Sequence, residues 1–144
     1  MVVVKLNKKG LTFIELIISL VIIGIMASVA LPLAEVTYKR TKEIELRRNL
    51  REIRLAIDKY KEYYEKDLAG PKILGGSGYP QALEELLKRK LLRKIPKDSM
   101  TGKEWGTRSF SDGYDSLISN KLDVYDVFTL SDDIALDGTK YNTW

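Results

Sequence analysis

Two sets of carboxylates stand out in this 144-residue chain as groups that could do chemistry. The first is Glu15 alone. It sits one turn inside an apolar run, with Leu11, Phe13 and Ile14 before it and Leu16 onward after it. A charge at a bilayer centre costs about 2.5–3.5 kcal/mol, less near the edge, so such a residue is by default a functional candidate with a partner to be named, the alternative being a carboxylate that sits idle in the headgroup region. In a low-dielectric setting that partner must be a cation. The second set is Asp126, Asp132, Asp133 and Asp137, close to Gly138. Carboxylates with turn carbonyls suit Ca²⁺, which takes six to eight oxygens at about 2.3–2.6 Å. The order is not that of an EF-hand, and spacing alone leaves a calcium loop and an acidic surface turn both open. There is no Cys and no His. That removes disulfides, thiolate chemistry, the commonest general base and the commonest transition-metal ligand. No well-spaced acid pair falls on expected rigid elements, so the chain reads as a non-enzyme.

The elements that position Glu15 are plain. No residue between Glu15 and Glu35 is charged. As a helix, Leu16 to Ala34 spans about 28 Å, close to the bilayer's apolar core of about 30 Å. Lys5, Lys8 and Lys9 precede it, which places the N-terminus in the cytoplasm and the rest outside. The same lysines account for most of the net charge of +4, so the charge balance does not suggest nucleic acid. A secretory signal with Ser28-Val29-Ala30 as its cleavage site, or a plain single-pass anchor, fits the run as well. Neither explains Glu15. Gly24 and Pro32 read either as ordinary membrane-helix residues or as a weak stretch that kinks.

After Pro32 the chain has no Gly or Pro until Gly70. Leu46, Leu50, Ile53, Ile57, Tyr60 and Tyr64 recur at alternating four- and three-residue steps, one helical stripe suited to packing on a sheet. The stripe is too short and too aromatic for a coiled-coil seam. A helix from about Leu11 to Asp67 follows. Gly75, Gly76 and Gly78 lack the surroundings of a phosphate loop and read as linker. Ala82 to Leu92 reads as a short second helix, Ile95 to Trp105 as turns, and Arg108 to Tyr114 and Leu122 to Leu130 as strands. On the second strand Val124, Asp126 and Phe128 share one face, and Tyr125, Val127 and Thr129 the other. The fold class is α+β: a long N-terminal helix, transmembrane in its first half and amphipathic in its second, packed on a small antiparallel sheet.

Gly10-Leu11-Thr12-Phe13-Ile14-Glu15-Leu16 resembles the processing motif of type IV pilins and of type II secretion pseudopilins. The resemblance implies a leader, residues 1–10, cut after Gly10 by a prepilin peptidase, which then methylates the new N-terminus at Leu11. Most members begin with Phe, so Leu11 is a departure. Glu15 stands at the family's glutamate position, where it pairs with a neighbour's α-amino group and sets the stagger of subunits in a helical fibre. Residues 11–34 are then the transmembrane and assembly helix, and 35–144 a periplasmic domain. Ile95 to Trp105 is similar to the "lp-D-P-w-G" segment of G-type major pseudopilins, with Ser99 in place of the usual Pro. The tail resembles their calcium loop. This implies Asp132 and Asp137 as side-chain ligands, Asp133 as a third, and carbonyls from Leu130 or Ser131. Arg47, Arg48, Arg51 and Arg54 are expected either to bridge to neighbours' Glu43, Glu45, Glu52 and Asp58 or to form a solvated face.

The implied function is structural. The chain would be a pseudopilus subunit in the bacterial inner membrane, working with an assembly platform and minor pseudopilins to drive export through a type II secretion system. The alternative is a type IV pilin of a surface fibre for adhesion, motility or DNA uptake. Many of those close a loop with a disulfide, which this chain cannot form. A membrane-tethered enzyme or binding module is a third reading, without a motif to support it.

Overall fold

A computed structural model describes residues 10–66, 76–112 and 120–144. Helix α1 spans Phe13–Glu65, α2 Glu84–Lys88, strand β1 Gly106–Arg108 and β2 Asp126–Phe128; a 3₁₀ turn covers Tyr141–Thr143. The chain forms two compact units, Met1–Tyr38 and Lys39–Trp144, and α1 contributes residues to both.

In the first unit α1 is apolar on every face. One window of it has a mean hydropathy of 2.7 with none of it buried, so it is long and apolar enough to cross a membrane. Helical backbone continues through Gly24 and Pro32. Ser19 and Thr37 each turn a hydroxyl back to the carbonyl four residues earlier, and Ser28 to that of Ile25. Their polar groups are therefore satisfied within the helix.

In the second unit the expected stripe is the core. Leu46, Leu50, Ile53, Ile57 and Tyr60 are buried, and Ala56 joins them. Tyr64 is only half-buried. The stripe packs against Leu86, Leu92, Trp105, Val124, Val127 and Tyr141. Full burial of a Leu or Ile side chain contributes about 1.5–3 kcal/mol. Tyr60 also donates to Glu85 Oε2 at 2.8 Å, tying α2 to α1.

Three elements are shorter than the sequence suggests. Helix α1 begins at Phe13 because Thr12 caps it; Asp67 lies outside the described residues. Helix α2 ends at Lys88, not Leu92, because Leu91 and Leu92 both donate to the Leu86 carbonyl while Lys90 takes φ 58°. The ladder pairs only Gly106 with Phe128, Thr107 with Val127 and Arg108 with Asp126. Tyr125 N still reaches Arg108 O. Beyond it Ser109 N donates to Asp112 Oδ2 and Phe110 N to Asp123 Oδ1. Side-chain acceptors thus take the amides that a longer strand needs. Gly113 and Tyr114 lie outside the described residues.

Strand β2 is buried on both faces, with Val127 against α1 and Phe128 on the other side under the Arg108 guanidinium, 4.5 Å from the ring centre. Gly106 makes that packing possible: a Cβ there would lie 2.5 Å from Phe128 Cζ. Phe128 is 2% exposed, so its ring would have to shift within packed surroundings. Gly106→Ala should therefore destabilise the protein by about 1–3 kcal/mol, the usual cost of overpacking. Thermal unfolding of the full chain in detergent checks this, and Phe128→Leu in the Gly106→Ala background should recover part of the loss.

Candidate functional site

The N-terminal site is built around a helix start. Gly10, Leu11 and Thr12 precede α1 in non-helical conformation, and Leu11 is 72% exposed. The Gly10–Leu11 peptide is therefore exposed and outside the helical hydrogen-bond ladder. Thr12 is the cap: Glu15 N donates to its Oγ1 at 3.3 Å, and Leu16 N to its carbonyl at 3.1 Å. Thr12-Phe13-Ile14-Glu15 is thus a Ser/Thr-x-x-Glu start with the acid in the first turn, where it also complements the helix dipole. The sequence reading singled out Glu15 and passed over Thr12, although the four-residue pattern is legible without a structure.

The second site is the tail. The carboxylates expected to hold calcium face different partners. Asp132 Oδ1 accepts from Asn142 Nδ2 at 2.8 Å, and Asp133 Oδ2 from Ser131 Oγ at 3.1 Å. Asp137 Oδ1 accepts from Thr139 N and Oγ1, and its Oδ2 from Arg47 at 3.1 Å. The Thr139 hydrogen bonds, then Arg47, hold the Asp137 carboxyl below the usual carboxylate range. Leu130 is exposed, and the Ser131 amide is bonded to Thr129 Oγ1. Among the described residues no three acidic side chains are grouped closely enough to hold a metal ion. In this arrangement Asp132, Asp133 and Asp137 are each hydrogen-bonded to a different partner.

The arginine cluster also divides. Arg47 and Arg54 are two turns apart at the edge of the apolar stripe, and both bond to the tail. Arg48 and Arg51 step round to solvent and form no ion pair among the described residues. Glu43, expected to meet a neighbour's arginine, instead accepts from Leu136 N at 2.7 Å and Tyr141 OH at 2.8 Å. Burial, reinforced by Glu43, pushes the Tyr141 hydroxyl well above its usual range.

Two further carboxylates organise the domain, and the sequence reading gave them no role. Asp98 is 1% exposed and accepts from Met100 N, Thr101 Oγ1 and Thr129 Oγ1 at 2.9, 2.6 and 2.6 Å. Asp123 gathers Ser77, Ser109 and the Phe110 amide. Asp98 followed by Ser99 and Thr101 is a local turn signal; its tie to Thr129 is not visible in sequence.

The prokaryotic N-terminal methylation motif matches residues 5–31 of this chain. The matched stretch contains the whole N-terminal site: Gly10, the Thr12 cap, Glu15 and the apolar helix that follows. The fold is α+β and type IV pilin-like, with its long apolar N-terminal helix and small two-stranded antiparallel sheet. The motif marks the chain as a type IV pilin-like precursor, and implies prepilin peptidase processing and fibre assembly. Neither curated proteins nor solved structures give a match to the chain.

Proposed function

We propose that the chain is the major structural subunit of a type II secretion pseudopilus, anchored in the inner membrane with residues 35–144 in the periplasm. One observation carries the assembly role: an accessible Gly10–Leu11 peptide leads directly into a Thr12-capped apolar helix with Glu15 in its first turn. Cleavage there frees an α-amino group at Leu11. That cation lies beside the positive end of the helix dipole, which disfavours it. A neighbouring subunit's Glu15 would neutralise it and set the stagger between the two helices. The first unit's fully exposed apolar surface needs either lipid or sister helices around it, and a fibre supplies the second. The string Ile95 to Trp105 and the lack of cysteine favour a pseudopilus over a surface pilus.

Two measurements test the proposal. Intact mass of the protein from its native membrane should match a chain beginning at an N-methylated Leu11; a mass that includes Gly10, or one that begins after Ala30, would refute processing at this site. Deletion of the gene should abolish export of folded protein across the outer membrane and leave surface fibres unchanged. The opposite pair of results would make the chain a surface pilin.

A further inference from the structure

We propose that helix α1 itself supplies the charges that dock the tail, so that residues 126–144 stay in place without a metal ion. The side chains responsible lie along one edge of the apolar stripe, at 39, 43, 47 and 54, spaced by one or two turns. Lys39 Nζ donates to the Ile134 carbonyl at 2.7 Å. Glu43 takes the Leu136 amide and the Tyr141 hydroxyl. Arg47 bonds Asp137, and its guanidinium lies 3.8 Å from the ring centre of Trp144.

Arg54 is the centre of the arrangement. Its Nε and Nη2 grip the two Asp126 oxygens at 2.7 and 3.3 Å. Nη2 also reaches the carbonyls of Val127 at 3.1 Å and Trp144 at 2.8 Å. One planar head thereby joins β2 to the 3₁₀ turn, the start of the tail to residues far along it. Its targets are carboxylate and carbonyl oxygens, the same donor chemistry that a hard cation would use. Arg54 and Asp126 are more shielded, at 38% and 20% side-chain exposure, than Arg47 and Asp137, which are both about half exposed. Arg54 therefore carries more of the docking than Arg47. Arg108 adds a second guanidinium on Asp126, at 3.3 Å. This docking is independent of whether the fibre is a pseudopilus or a surface pilus.

The test uses the full chain in detergent, melted in millimolar CaCl₂ and in chelator, with limited proteolysis of the tail alongside. Wild type should melt at the same temperature in both solutions. Arg54→Met should lower the midpoint by about 5–10 °C and make the tail protease-sensitive, and calcium should restore neither. Arg54→Lys keeps the charge but loses the fork, and should fall between the two. Arg47→Met should shift the midpoint by about 2 °C or less. A wild-type midpoint more than about 3 °C higher in calcium than in chelator would overturn the proposal in favour of a metal-held loop. So would a tail that stays protected in Arg54→Met. The wild-type comparison decides even if Arg54→Met fails to fold.

Discussion

Glu15→Leu is expected to abolish fibre formation while the subunit accumulates in the membrane. Two effects act in opposite directions. Removing the charge eases insertion by up to about 2.5–3.5 kcal/mol, less because Glu15 lies near one end of the apolar run. On the proposed assembly, it also removes the anion that a neighbour's freed Leu11 amine would require in the fibre. An amine left unpaired among apolar helices costs several kcal/mol in each subunit contact. Because every subunit repeats the contact, fibre yield should fall by at least about tenfold, which corresponds to only about 1.4 kcal/mol. Sedimentation and electron microscopy of sheared fibres, with blotting of the membrane fraction, read both effects. Glu15→Gln separates charge from helix capping. Gln also serves at the third helical position, so the Thr12 cap survives, but it cannot neutralise an amine. Normal fibres from Glu15→Gln would show that the charge pair is not needed.

Asp98→Ala should cause the largest loss of stability in the second unit, about 3–5 kcal/mol. The carboxylate is buried and serves three donors at once. Removing it leaves the Met100 amide and the hydroxyls of Thr101 and Thr129 without their acceptor, each at a cost of about 1–3 kcal/mol. It also loosens the turn closed by Gly102 N on Asp98 O at 2.8 Å. That turn is tied to α1 through Ser99 Oγ on the Lys42 carbonyl at 3.0 Å. The midpoint should drop by about 10 °C or more, measured by circular dichroism of the full chain in detergent. Asp98→Asn should lose less, because its amide keeps one acceptor oxygen and the threonine hydroxyls can rotate to accept from its NH₂. A loss below about 1 kcal/mol in Asp98→Ala would show that water replaces the carboxylate and that the site is open.

The sequence by itself determined whatever depends on neighbours along the chain. The apolar run and the helix stripe from Leu46 to Tyr60 are local patterns, the stripe legible because a helix returns each face every 3.6 residues. The motif around Gly10 is equally local. Tertiary structure decided which charge meets which. Arg47, Arg48, Arg51 and Arg54 look alike in sequence, yet only the path of the tail, some 70 to 90 positions away, makes Arg47 and Arg54 its anchors. The same path brings Asp137 to Arg47, whereas Asp133 bonds Ser131 and Asp132 bonds Asn142 within the tail itself. The strands are short because Asp112, locally, and Asp123, across the loop, take the amides after Arg108. Hydrogen bonds and ion pairs reach only about 3 Å, and the separation of two charges along a chain does not fix their separation in space.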